Sequence, residues 1–299
     1  MAAADDLYAA FHNPAGLADV NFEAGFAASA GSPDEATPVV RLLTLIQEAF
    51  SRPDDPPPVR GRVGALGAVA LRGSAIALSA DANVDVVSSP QGPAAAGQLV
   101  STVTLASARR IPLGTWGASL ALGSAVRLLH VRSLRIPPPG AEGEADSSYL
   151  WTGQGFSLDL GAQLKLGDWL SLGAFARDLA GTLTWAPSPR RALPSGPQSN
   201  PWDAVRDGWV AGVAVGGLAA GVCVAGELRA DGSWSVGFEQ WLFDRLLAVR
   251  MGRRREADGQ LAHSVGLGLR LGPFRADVAA VVPAGPAPVV GVANFGLRF

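Results

Sequence analysis

An alternation of period two, repeated in runs of roughly ten residues and broken by turn residues, runs through most of this chain and limits it to strands. In 289–299, Val289, Gly291, Ala293, Phe295, Leu297 and Phe299 fall on one face, and Val290, Val292, Asn294, Gly296 and Arg298 on the other. Successive strand residues point to opposite faces, so one face suits lipid and the other water. In 274–282, Phe274, Ala276, Val278, Ala280 and Val282 oppose Arg275 and Asp277. In 156–166, Phe156, Leu158, Leu160, Ala162, Leu164 and Leu166 oppose Ser157, Asp159, Gly161, Gln163 and Lys165.

A soluble sandwich also alternates, because one face of each of its sheets is wet. Connection lengths separate the two. Strands are expected near 20–30, 61–72, 74–87, 99–110, 114–132, 149–166 and 168–184, then near 208–216, 220–230, 233–242, 244–254, 261–271, 273–282 and 289–299. Connections after even-numbered strands are short: Arg72-Gly73, 111–113, Gly167, 217–219, Phe243 and Gly272. Those after odd-numbered strands are mostly long: 31–60, 88–98, 133–148, 185–207, 255–260 and 283–288, with Asp231-Gly232 the one tight hairpin. Short turns on one rim and long loops on the other are the habit of outer-membrane barrels. The expected fold is therefore all-β, a transmembrane antiparallel up-and-down β-barrel of about fourteen strands over 20–299. A short N-terminal hatch over 1–19 precedes it, and both termini are periplasmic.

Composition removes other classes. Hydrophobic residues make up 48% of the chain, yet no eighteen-residue window is free of charges or breakers, so transmembrane helices are not expected. A net charge of -2 argues against nucleic acid as a partner. Cys223 is the only cysteine, which rules out an internal disulfide. Three histidines without a Cys/His cluster leave no metal site and no cofactor to expect. Met1–Asp6 lacks the basic and apolar regions of a secretory signal. The sequence reads as a trimmed mature chain of the bacterial outer membrane, with the signal peptide expected to be absent from it. His12, His130 and His263 form no spacing that implies a Ser/His/acid set, so no catalytic residue is assigned.

Pro14 and Gly16 favour a compact turn before the first strand, and Asn13 can bond nearby backbone as in an Asx turn. Within Leu7–Ala18, the run Phe11-His12-Asn13-Pro14-Ala15-Gly16 resembles the N-terminal signature of the FadL (OMPP1/FadL/TodX) superfamily of outer-membrane transporters for fatty acids and hydrocarbons. That resemblance implies a hatch inside a fourteen-stranded barrel. Val236–Asp244, with Ala248–Gly252, is similar to a hairpin of the PorV-like branch, whose members resemble secretion or attachment platforms. Phe295, Leu297 and Phe299 look like the terminal signal read by the barrel assembly machinery. The hatch expected here is shorter than that of the fatty acid transporters, and a plain cap on the first strand is the simpler reading of 1–19.

In the first long loop, Val39, Leu42, Leu43, Ile46 and Phe50 recur at helical spacing, which predicts an amphipathic helix over 38–50. Its apolar face could line a groove for a hydrophobic, fatty-acid-like small molecule, lid the barrel, or dock on an envelope protein complex. The alternation turns Arg62, Asp159, Lys165, Glu227, Arg229, Glu239, Arg250, Arg275, Asp277 and Arg298 inward. Mixed signs there read as a salt-bridged, water-filled lumen. Trp116, Trp151, Trp169, Trp185, Trp209, Trp234 and Trp241 sit near strand ends, where interfacial girdles form against outer-membrane lipid. Two function classes follow: a FadL-like barrel for uptake or binding of hydrophobic small molecules, which is preferred, and a PorV-like non-transporting scaffold.

Overall fold

In the computed structural model, fourteen strands close into one barrel in which every neighbouring pair is antiparallel and β1 pairs with β14. The structure describes residues 9–31, 39–51, 59–89, 92–114, 117–136, 149–187, 208–217, 221–284 and 289–299. The strands are β1 Phe22–Gly31, β2 Val59–Leu71, β3 Ser74–Ser89, β4 Gly92–Pro112, β5 Ala118–Ile136, β6 Tyr149–Leu166 and β7 Leu170–Pro187. They continue as β8 Trp209–Gly217, β9 Val222–Arg229, β10 Trp234–Leu242, β11 Leu247–Arg255, β12 Leu261–Leu271, β13 Phe274–Pro283 and β14 Val290–Arg298. All fourteen lie where the alternation puts them. Among the described residues no helix is long and apolar enough to cross a membrane, so the strands alone make the span.

Several boundaries differ from expectation: β5, expected over 114–132, runs over Ala118–Ile136, β7, expected over 168–184, runs over Leu170–Pro187, and two further differences have a local cause. Residues 92–98, expected within a loop over 88–98, belong to β4 and pair with β3 in unbroken register from Ser74↔Ser107 to Ser89↔Gly92. Ala94, Ala95, Ala96 and Gly97 carry too little side chain for the alternation to register. The turn after β10 holds Phe243, Asp244 and Arg245, all with left-handed φ, so β11 starts at Leu247 rather than near 244.

The outward face carries the apolar band: Ile76, Leu78, Leu128, Phe156, Val265 and Leu267 are all about half exposed. A soluble protein would not spread such residues around a closed wall. On β3 to β7 the band ends at the register row Ala80, Ser101, His130, Gln154 and Thr184, which brings polar side chains to the outward face. Trp169 and Trp209 are exposed as a girdle requires. Trp151 is instead buried, Trp241 lines the interior, and Trp116 lies outside the described residues.

The seam between β1 and β14 runs from Glu23↔Arg298 to Gly31↔Val290. Aromatic rings cross it on the outside: Phe295 lies 5.9 Å from Phe26 and 6.4 Å from Phe274, and Phe299 lies 5.8 Å from Phe22. Phe295→Ala removes two ring pairs and is expected to cost about 1–3 kcal/mol. The check is the fraction of chain migrating in the heat-modifiable, folded form; an unchanged fraction would show that the strand hydrogen bonds alone close the seam.

The predicted loop helix forms as α2, Val39–Ser51, following the hatch helix α1, Ala9–His12. Its position follows from strand parity. Val59 and Val63 of β2, Ala82, Val84 and Val86 of β3, Ala95 of β4 and Leu134 of β5 all share the outward parity of the lipid band, yet all are buried. Ile46 and Ala49 of α2 complete that cluster, with Leu45 at its edge. The helix therefore lies on the outside of the wall, above the apolar band, and does not lid the lumen.

Candidate functional site

The N-terminal segment enters from the short-turn rim and folds inside the barrel. It is tied there by Arg72 N–H to Asn21 C=O at 2.8 Å and Gly73 N–H to Val20 C=O at 3.1 Å. After α1, Pro14–Asp19 forms a 3-10 helix with Asn13 as its cap. Pro14 suits the first helical position because its missing N–H would have had no partner. The Asn13 carbonyl Oδ1 accepts from Ala15 N–H at 3.2 Å, and its Nδ2 donates to Ala162 C=O of β6 at 3.1 Å. Asn13, Pro14, Ala15 and Gly16 are buried; Phe11 is half-buried.

The wall beneath them is built of small residues. Ala68, Ala70, Ala75, Ala77, Ala106 and Ala125 pack around Leu17 and Val20 of the hatch. At two places not even a methyl group fits. A Cβ on Gly123 would stand 2.4 Å from the Ala15 nitrogen and the Pro14 carbonyl carbon, and one on Gly161 2.1 Å from Asn13 Oδ1. Charges fasten the ends: Asp19 pairs with Arg110 and, at 2.6 Å, with Lys165, while Arg177 Nη2 donates to Phe11 C=O at 2.5 Å. His12 is open to the lumen yet enclosed by the wall; burial first, and Arg177 second, lower its pKa and keep it neutral at pH 7. Its contact with lumen water moderates that lowering.

Beside the hatch, on the inner face of β5 to β7, lies a buried polar cluster. Arg127 pairs with Asp159 at 2.9 Å and with Asp178 at 2.5 Å; Ser157 bonds Asp178, and Asp178 N–H donates to Asp159 Oδ1 at 2.9 Å. The two carboxylates are 1% and 0% exposed. They occupy a break in the wall: pairing of β6 with β7 jumps from Leu158↔Ala180 to Leu160↔Ala176, and Asp178 takes a left-handed φ of 57°. Asp159 thus replaces a ladder acceptor that the bulge removes. Asp178 lies in the run expected as a strand, but period-two reading carries no signal for a bulge. A non-glycine residue with positive φ can be found only in coordinates.

The other half of the lumen is open. A cavity of about 850 Å³ is bounded mainly by β9 to β12. Arg250 links Glu239, at 2.6 Å, to Asp277; Arg275 holds the second Asp277 oxygen at 3.0 Å, and Arg229 pairs with Glu227 at 2.9 Å. Trp241 Nε1 donates to Glu239 at 2.7 Å beneath the Arg250 guanidinium. Arg298 stands opposite Glu23 in register, and the register turns Arg62 toward the interior as well. The predicted lumen charges therefore all face inward, and most form the expected salt bridges. Their balance is less even than the sequence suggests, because basic residues outnumber acidic ones along the cavity.

Of the predicted groove residues, Ile46 is buried against the barrel wall. The side chains of Val39, Leu42, Leu43 and Phe50 lie outside the described residues. His130 on β5 and His263 on β12 are diametrically opposed in a ring of fourteen and cannot share a site. Among the described residues no cluster of three metal-ligating side chains occurs.

No family model and no curated protein matches the chain. Solved structures do. The Pseudomonas putida toluene transporter TodX aligns over 98% of this chain and 94% of its own, at 10% identity and a TM-score of 0.57. Its deltaS2S3 mutant, described as a monoaromatic hydrocarbon channel, aligns over 97% and 94%, at 12% identity and a TM-score of 0.61. A deltaS2 mutant of the same channel aligns over 98% and 94%, with a TM-score of 0.50. With fourteen strands in one closed sheet and an N-terminal segment folded inside it, the chain has the fold of the TodX barrel.

Proposed function

We propose that the protein is a bacterial outer-membrane barrel that takes up hydrophobic small molecules of fatty-acid or hydrocarbon type. In this reading both termini are periplasmic, the long loops face outward, and outer-membrane lipid and the barrel assembly machinery are the partners of the wall and of Phe295, Leu297 and Phe299. The observation that carries it is a hatch seated in one half of the lumen beside an open cavity of about 850 Å³. A plug with room beside it suits gated passage better than an inert wall does. An acidic headgroup would find the basic side of the cavity favourable, while the small-residue wall under the hatch tolerates an apolar chain once the hatch moves.

A PorV-like scaffold for an envelope complex is the second reading. It is favoured by α2, which spends Ile46 and Ala49 on its own barrel, and by the charged lining of the cavity. Proteoliposomes separate the two. With the intact barrel, oleate or toluene should enter several times faster than into protein-free vesicles, and Gly123→Val should change that rate. Entry no faster than through lipid alone, together with an envelope protein that stays bound through purification, sinks the uptake reading.

A further inference from the structure

We infer that Arg253 and Arg255 of β11, with His263 of β12, form an outward-facing site for the phosphate groups of a glycolipid in the outer leaflet. The inference rests on the outer-membrane placement above, with the long loops outside. Register assigns the side-chain direction. Arg253 pairs with Val236 on one side and His263 on the other, while Met251, one step down the strand, pairs with Phe238 and Val265. Met251 is 55% and Val265 57% exposed, both on the lipid-facing side. Period two then turns Arg253, Arg255 and His263 outward as well, and all three are exposed. Arg253 and His263 also border the lumen cavity, but period two turns their side chains to the opposite face.

Height follows from the same strands. On β12 the outward residues Leu271, Leu269, Leu267 and Val265 are all apolar and exposed, and His263 comes next. From Leu271 to His263 is about 27 Å of strand, or about 20 Å of height at a tilt of about 40°. An apolar band is about 25 Å tall, so these residues stand at the headgroup boundary. There an arginine costs almost nothing, whereas at the midplane it would cost about 2–4 kcal/mol.

Charge complementarity identifies the occupant. The flanking outward residues Val236 and Val282 are apolar and exposed, so the arginines interrupt an uncharged rim. Arg254 faces inward and pairs with Glu256 at 2.8 Å. Among the described residues neither Arg253 nor Arg255 forms an ion pair, and the nearby Asp258 carboxylate accepts Gln260 N–H instead. The two guanidinium stems leave the strand about 7 Å apart, a spacing at which both can hold one phosphate through paired N–H groups. The apolar residues directly below offer a surface for the acyl chains of the same lipid.

The test is native mass spectrometry of the full-length barrel with bis-phosphorylated lipid A and with the same lipid dephosphorylated. The intact barrel should retain the phosphorylated lipid about tenfold more than the other. Arg253→Gln with Arg255→Gln should lose most of that preference while keeping the folded gel mobility. Equal retention of the two lipids by the intact barrel, or an undiminished preference in the folded double variant, overturns the site. Recovery of the barrel outside outer-membrane fractions, with the preference intact, would count against the localisation and leave the phosphate chemistry standing.

Discussion

Gly123→Val is expected to unseat the hatch while leaving the barrel closed. Valine is at home in a strand, but its Cβ at this position meets hatch backbone at 2.4 Å. Backbone cannot rotate away as a side-chain tip can, and β5 is held in place by eighteen-residue ladders on both sides. The hatch must therefore move. Overpacking of this kind costs about 1–3 kcal/mol, which shifts the ratio of seated to unseated hatch about 5- to 150-fold. Planar-bilayer conductance should rise, and the peptide bonds around Asn13 should become open to protease in folded protein. Asn13→Ala should act in the same direction more weakly, since it removes two hydrogen bonds without a clash. If conductance and protease resistance both stay at the level of the unmodified protein, the hatch does not control the lumen.

Arg127→Met should be the most damaging single substitution in the wall. It leaves Asp159 and Asp178 buried on adjacent strands without the one cation paired with them among the described residues. Removing one member of such a group costs about 3–5 kcal/mol, because the remaining charge keeps its desolvation penalty. The loss should concentrate at the bulge between β6 and β7, where Asp159 also accepts the Asp178 N–H. Equilibrium unfolding in urea with lipid vesicles measures it. Adding Asp159→Asn and Asp178→Asn should recover most of the stability, since amides keep the acceptors and discard the charge. A cost below about 1 kcal/mol for Arg127→Met would mean that lumen water, rather than Arg127, solvates the two carboxylates.

The alternation and the asymmetry of the connections carried the barrel, its strand count and the inward direction of charges such as Arg250 and Asp277, because side-chain parity is a local property of an extended chain. Asn13 and Pro14 likewise announced a capped turn, which depends only on neighbouring backbone. Four features needed the closed structure. Helical spacing showed that α2 has an apolar face, but not that the face would meet Val84, Val86 and Leu134 on the outside of the barrel; those residues look lipid-facing until the wall rises above the membrane. The bulge at Asp178 left the alternation legible on both sides of it, so nothing local marked the break. The concentration of basic residues on one side of the lumen appeared only when the hatch took the other. Gly123 and Gly161 read as ordinary small residues until Pro14, Ala15 and Asn13 came within contact of them. Period and turn chemistry act over a few residues, whereas these four depend on segments brought together by barrel closure, and sequence spacing holds no record of that distance.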